Sequence, residues 1–70
     1  MDREYLQKFA KNLKKIRKLK HLTQDDLGSV EGISRSTIGM VETAKTDITL
    51  SKLKIIANAL GIEPKNLLDF

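Results

Sequence analysis

The sequence has no cysteine, no tryptophan, a single proline and a single histidine among its 70 residues. Without cysteine there is no disulfide and no thiolate metal site, and His21 alone cannot build an imidazole site. We therefore expect neither a metal ion nor a cofactor. A chain this short buries only about 60% of its unfolded surface, so regular helix packing or a second subunit has to supply stability.

Long apolar runs are also missing. No stretch approaches the roughly 20 residues of a membrane span, and the start, Met1-Asp2-Arg3-Glu4, is charged, unlike the apolar core of a signal peptide. We expect a cytoplasmic protein with no membrane association. The serines lack a positioned histidine and the carboxylates are scattered, so we expect no enzymatic activity.

Positive charge is concentrated in the first third of the chain. The net charge is +4, yet no acidic residue occurs between Tyr5 and Gln24. The basic residues in that stretch are Lys8, Lys11, Lys14, Lys15, Arg17, Lys18 and Lys20. Such a field suits nucleic acid or anionic lipid, but it is equally typical of a solvated helix face that keeps a small protein in solution.

Helical spacing accounts for the first half of the chain. Apolar residues recur from Tyr5 to Ile16 and predict a helix over residues 3–20. Thr23 starts a capping box with Asp26, which predicts a second helix over residues 24–31.

Gly32 suits a backbone position of positive φ, and Ser34 is a fresh N-cap, which predicts a third helix over residues 35–43. Thr49 caps a fourth helix that Gly61 ends. Its apolar stripe is Leu50, Leu53, Ile56, Ala57 and Leu60. Pro64 begins a short fifth helix that holds Leu67 and Leu68. The sequence thus predicts one all-α, five-helix domain over residues 1–70.

The helices on either side of Gly32 have the lengths and separation of a helix-turn-helix, whose second helix enters the major groove of DNA. This motif spans about residues 23–43. Ile33 and Ile38 bracket the turn, and Val41 follows one helical turn later. These side chains can lock the two helices at a fixed crossing angle.

The chain resembles the Cro/C1-type (XRE-like) helix-turn-helix family of phage repressors and small bacterial transcription regulators. The resemblance is carried by Leu-Thr-Gln-Asp-Asp-Leu at 22–27, Gly-Ile-Ser at 32–34 and Ile-Ala-Asn-Ala-Leu-Gly-Ile at 56–62. It implies a compact, lambda-repressor-like domain that binds double-stranded DNA as a homodimer on a palindromic operator. Within the family, Thr-Gln-Asp-Asp-Leu and Asp-Ile-Thr-Leu look most like the controller proteins of restriction-modification systems.

Three residues depart from the family pattern. Gly28 stands where alanine is common, Glu31 where a small or apolar residue is expected, and Ala44 where glycine or asparagine often ends the recognition helix. A helical glycine costs about 1 kcal/mol relative to alanine but permits closer helix contact. We therefore expect a second helix that is marginal or slightly displaced.

The outer face of the third helix is predicted to read bases, because Ile38 and Val41 face the core. Arg35 can donate two hydrogen bonds to guanine, and Met40 can cover a thymine methyl. The predicted base-contacting residues are Arg35, Ser36, Thr37 and Met40. The alternative is an ordinary polar face, with Arg35 paired to Glu31 and Met40 packed against its neighbours.

Phosphate contacts are predicted around the starts of the second and fourth helices, where free amides attract anions. They are Thr23, Gln24, Thr43, Lys45, Thr46, Thr49 and Lys52. For Thr23 the alternative is capping alone. The resemblance also implies a partly buried ion pair between Arg17 and Glu42 that fixes the first helix against the third.

The predicted dimer interface is apolar and near the C-terminus. It consists of Ile62, Leu67, Leu68 and Phe70. The alternative is that these residues close the core of their own subunit.

The expected function is sequence-specific regulation of transcription by occluding or recruiting RNA polymerase. The alternatives are the antitoxin of a toxin-antitoxin pair, a protein adaptor, and membrane binding through the basic first helix.

Overall fold

A computed structural model describes all 70 residues. They form five helices: α1 (Arg3–Leu19), α2 (Gln24–Gly28), α3 (Arg35–Glu42), α4 (Leu50–Leu60) and α5 (Pro64–Leu67). There is no strand, so the all-α prediction is confirmed. None of these helices combines the length and apolar character needed to cross a membrane.

Side-chain caps begin the helices where the sequence predicts them. The amide of Asp26 donates to the Thr23 hydroxyl at 3.0 Å, and the amide of Thr23 donates to the Asp26 carboxylate at 2.7 Å. Ser34 and Thr49 cap α3 and α4 through their hydroxyls. Each cap satisfies an amide that the first helical turn leaves unpaired, so the helix starts follow from local sequence.

The second helix is shorter than predicted, since it ends at Gly28 and not at Glu31. Val30 and Ile33 then donate to carbonyls three residues earlier, so isolated turns replace the last predicted helical turn. Gly32, with a φ of +92°, reverses the chain in a conformation that glycine adopts readily.

The core is built from one face of α1, α3, α4 and α5, closed by the α2 region. Its members are Phe9, Leu13, Leu27, Ile33, Ile38, Val41, Leu53, Ile56, Ala57, Leu60 and Leu67. The apolar face of α1 is therefore inside the protein and is used for the core. Leu67 is fully buried, so its assignment to a dimer interface is wrong, because a side chain without exposed surface cannot contact a partner.

Leu50 also differs from its prediction. The apolar spacing predicts that it lies on the buried stripe of α4, but it is 83% exposed. It is the first residue of α4, and the buried part of that helix begins one turn later at Leu53. The physical reason is that the core does not extend as far as the first turn of α4.

Helices α1, α3 and α4 are each followed by a residue in the left-handed conformation. His21, Ala44 and Gly61 have φ of +59°, +56° and +71°. At each of these ends, two successive amides donate back to carbonyls of the last helical turn, as in the Schellman motif. Ala44 thus takes the conformation for which the family often uses glycine or asparagine.

Candidate nucleic-acid interface

Helices α2 and α3 pack through side chains that leave the outer face of α3 free. Leu27, Ile38 and Val41 are 1%, 0% and 2% exposed, and Ile33 in the turn is also buried. These four side chains fix the two helices against the core, so α3 is presented on a rigid support.

The four predicted base-contacting residues share the free face of α3. Arg35 and Ser36 are exposed, Thr37 is half-buried, and Met40 is 46% exposed rather than packed in the core. The Thr37 hydroxyl also lies 3.0 Å from that of Ser34, so it takes part in the helix start. This face offers cationic, hydroxyl and apolar groups, the types that match guanine, other base edges and the thymine methyl.

Arg35 forms an ion pair with a carboxylate of α2. Its Nε lies 2.8 Å from Oδ1 of Asp25, whereas Glu31, the partner considered from the sequence, forms no ion pair. Both side chains of the pair are mostly exposed, at 63% and 79%.

Behind α3, Arg17 and Glu42 form a buried, bidentate ion pair. Nε and Nη2 of Arg17 donate to the two Glu42 oxygens at 2.7 and 3.0 Å, and Nη1 donates to the Leu22 carbonyl at 2.8 Å. Nε2 of Gln24 donates to the same carboxylate at 3.1 Å. One carboxylate therefore joins the end of α1, the start of α2 and the end of α3.

The surroundings keep this pair charged. Burial raises the pKa of the Glu42 carboxyl, but hydrogen bonds from Arg17 and Gln24 and the charges of Arg17 and Lys14 outweigh burial, so the pKa lies below its ordinary value. The hydrogen bond to Glu42 raises the pKa of Arg17 despite burial. The charged pair accordingly orients α3 from the side that faces α1.

The predicted phosphate-contacting residues occupy two places. At the start of α2, Thr23 is engaged in the capping box, and Gln24 is half-buried with its amide on Glu42. The others lie between the end of α3 and the first turn of α4, where Lys45 is exposed and the Thr43 hydroxyl donates to the Gly39 carbonyl at 2.8 Å.

A cleft of about 290 Å³ is lined both by members of this second group and by the outer face of α3, which we call the recognition face. Its lining is Thr37, Met40, Val41, Thr46, Asp47, Ile48, Thr49 and Lys52. Two predicted base-contacting residues and three predicted phosphate-contacting residues thus share one surface. Asp47 is the only acidic side chain in this cleft.

Asp25 is the residue that sequence reasoning missed. It is three residues before Gly28, so both lie on the same side of α2. Gly28 is where the backbone of Arg35 meets that helix. The available sequence signal is a glycine inside a helix, one turn after a carboxylate. It does not identify the ion pair by itself, because the partner of the carboxylate depends on which residue of α3 approaches the glycine.

A separate apolar surface lies at the start of α1. It is formed by Tyr5, Leu50, Leu68 and Phe70, which are 50%, 83%, 43% and 47% exposed. The rings of Tyr5 and Phe70 meet edge to face at 5.1 Å, and an adjoining groove of about 240 Å³ reaches Tyr5, Leu50 and Leu68. Of the predicted dimer interface, Leu68 and Phe70 lie here, whereas Ile62 is half-buried against the core.

Comparison with known proteins supports this geometry. Residues 13–67 match the helix-turn-helix family model. The chain is 37% identical to the control protein C.SmaI of Serratia marcescens over 59 residues, which cover 84% of this chain and 70% of that protein. It is 32% identical to the control protein C.BamHI of Bacillus amyloliquefaciens over 63 residues, covering 89% and 78%.

A solved structure is also similar. The restriction-modification controller protein C.AhdI from Aeromonas hydrophila superposes with a TM-score of 0.85 at 37% sequence identity, and the match covers 89% of this chain and 94% of that one. The resemblance extends beyond the two-helix motif to nearly the whole fold.

Proposed function

The chain belongs to the helix-turn-helix family and is a DNA-binding transcriptional regulator, and we propose that it controls restriction-modification genes as a homodimer on a palindromic operator. The observation that carries the operator model is the single surface on which the outer face of α3 meets the start of α4. That surface combines groups for base edges with groups for phosphates, as a sequence-specific DNA site requires.

Base recognition is assigned to the first turn and outer face of α3. Arg35 donates to guanine, Ser36 and Thr37 hydrogen-bond to neighbouring base edges, and Met40 covers a thymine methyl. Their exposure on a helix anchored by Ile38 supports the assignment.

Phosphate contacts position the helix in the groove. The proposed residues are Thr23, Gln24, Thr43, Lys45, Thr46, Thr49 and Lys52. Gln24 has a second amide hydrogen beyond the one that it donates to Glu42, so it can serve the ion pair and a phosphate together. Lys45 and Lys52 supply charge, which makes binding dependent on salt.

Dimer formation is assigned to the apolar surface of Tyr5, Leu50, Leu68 and Phe70. One recognition helix of eight residues offers few base contacts, and two half-sites about 34 Å apart double them. Exposed aromatic and leucine side chains grouped beside a groove are typical of an interface rather than of free surface.

Regulation then depends on where the operator lies. An operator over a promoter excludes RNA polymerase, and one beside it lets the bound dimer recruit the enzyme. Because the DNA target is the genome of the cell, we assign the protein to the cytoplasm.

The test is in vitro selection from a random duplex library, followed by footprinting on the DNA beside the protein's own gene. We expect a two-fold symmetric sequence with half-sites about one helical turn apart. Arg35→Ala should relax preference at one base pair per half-site, whereas Lys52→Ala should weaken selected and unrelated DNA alike and reduce the salt slope by about one unit. If Arg35→Ala retains every wild-type preference, the placement of the recognition face is wrong.

A further inference from the structure

The ion pair between Arg35 and Asp25 links the first residue of the recognition helix to the first turn of α2. The carboxylate lies on the Nε side of the guanidinium at 2.8 Å. Nη1 and Nη2 form the other edge of the guanidinium and carry four of its five N–H donors. An arginine reads guanine best through two parallel donors, so the direction in which this edge points decides whether Arg35 can read a base.

Gly28 explains why the pair forms. A Cβ on Gly28 would lie 2.5 Å from the Arg35 backbone nitrogen and 2.8 Å from its Cβ, so Arg35 is pressed against α2. Asp25 is one helical turn earlier on the same side of α2. The close approach of the two helices at Gly28 therefore brings Arg35 within reach of Asp25.

We propose that Asp25 is a positioning residue for base specificity, which holds the Arg35 guanidinium with its Nη1 and Nη2 edge toward a guanine. This assignment rests on the proposed function. It gives a role to a carboxylate that otherwise only opposes phosphate at the start of α2.

Energetics favour a role in the complex over a role in folding. The pair is largely exposed in the free protein, and exposed ion pairs contribute little to stability. When α3 docks, water is displaced and the attraction between the two side chains strengthens. An arginine held in one direction before binding also loses less side-chain freedom when it meets the base.

Substitution of Asp25 should change two quantities in opposite directions, the affinity for any DNA and the discrimination of one base, and this makes the proposal testable. Its negative charge repels phosphates, so removing the charge should tighten binding to any DNA. Loss of the hold on Arg35 should at the same time weaken discrimination of the base that Arg35 reads. A residue that acted only through its charge would change affinity for all duplexes by the same factor.

The experiment compares wild type, Asp25→Asn and Glu31→Gln on duplexes that carry the selected sequence or a substitution at the guanine read by Arg35. Glu31→Gln is the matched control because it removes one exposed negative charge near α2 that has no ion-pair partner. We expect Asp25→Asn to reduce the affinity ratio of the two duplexes about three- to tenfold, within the roughly 5- to 150-fold worth of a bidentate contact. Glu31→Gln should leave the ratio unchanged.

A second comparison isolates the route through Arg35. In an Arg35→Ala background, Asp25→Asn should have no further effect on the ratio. An unchanged ratio in Asp25→Asn, an equal fall in Glu31→Gln, or a further fall in the Arg35→Ala background would each overturn the assignment. If the wild-type protein itself shows no base preference, the result contradicts the proposed function and not only the role of Asp25. Thermal melting of each variant shows that the fold is retained.

Discussion

A Cβ placed on Gly28 would lie 2.5 Å from the Cα of Arg35, so α2 and α3 meet backbone to backbone at these two residues. Real side-chain carbons do not approach backbone atoms so closely. Gly28 is therefore required by the packing of α3 even though glycine weakens the end of α2.

We predict that Gly28→Ala destabilises the protein by about 1 to 3 kcal/mol, because the clash exceeds the gain in helix propensity. Gly39→Ala is the matched control, since nothing lies within 4 Å of its added methyl. That variant should gain up to about 1 kcal/mol. Urea unfolding followed by far-UV circular dichroism measures both. Equal stabilisation by the two alanines would contradict the close approach.

Removal of one partner of the Arg17–Glu42 pair should be severe. Arg17→Met or Glu42→Leu leaves a buried charge without its partner, at an expected cost of about 3 to 5 kcal/mol. That cost is a large part of the free energy of unfolding, which is roughly 3.5 to 10 kcal/mol for a domain of this length. The double variant should be more stable than the sum of the single losses predicts. Additive losses in a double-mutant cycle would show that the pair is not coupled.

Acid should destabilise the protein through Glu42. Because its pKa in the folded state is below the ordinary value of 4.5, the unfolded chain takes up the proton first as pH falls. The stabilisation is complete above about pH 4.5 and is lost as pH falls toward the folded pKa. Unfolding free energies from pH 7 to pH 2 should show the gap between wild type and Glu42→Gln narrowing below about pH 4.5. Glu31→Gln reports the general effect of losing one carboxylate.

Substitutions at the three left-handed helix ends should change stability in three different ways. His21→Gly should stabilise by up to about 1 kcal/mol, because an exposed residue is relieved of a strained φ. Ala44→Gly should be nearly neutral, since the same relief is offset by loss of a buried methyl worth about 0.8 kcal/mol. Gly61→Ala should destabilise by about 1 kcal/mol. Melting temperatures that moved in the same direction for all three would refute this account.

Dimer formation should depend on Leu50. Leu50→Glu places a charge in the apolar surface, and the first turn of a helix tolerates glutamate, so the monomer should stay folded. Sedimentation equilibrium should show a dissociation constant at least about tenfold weaker. Leu19→Glu, at the other end of α1 and 68% exposed, should leave the dimer intact. A purely monomeric wild type at high micromolar concentration would remove the proposed interface.

Local sequence was sufficient for the helix starts and for the family. Thr23, Ser34 and Thr49 cap amides within the same turn, and Pro64 fixes φ at the first position of its helix, so their effect can be read without knowing the fold. The apolar spacing identified the buried faces of α1, α3 and most of α4 for the same reason. The Arg17–Glu42 pair followed from family resemblance, since residues 25 positions apart show no contact by themselves.

Tertiary packing decided the features that join separate elements. The early end of α2, the burial of Leu67 and the exposure of Leu50 depend on where neighbouring helices lie. The choice of Asp25 over Glu31 as the partner of Arg35 depends on the backbone contact at Gly28. Periodicity tells which side of a helix is apolar, but burial and ion pairing are set by distances between elements remote in the chain, and only the assembled core defines those distances.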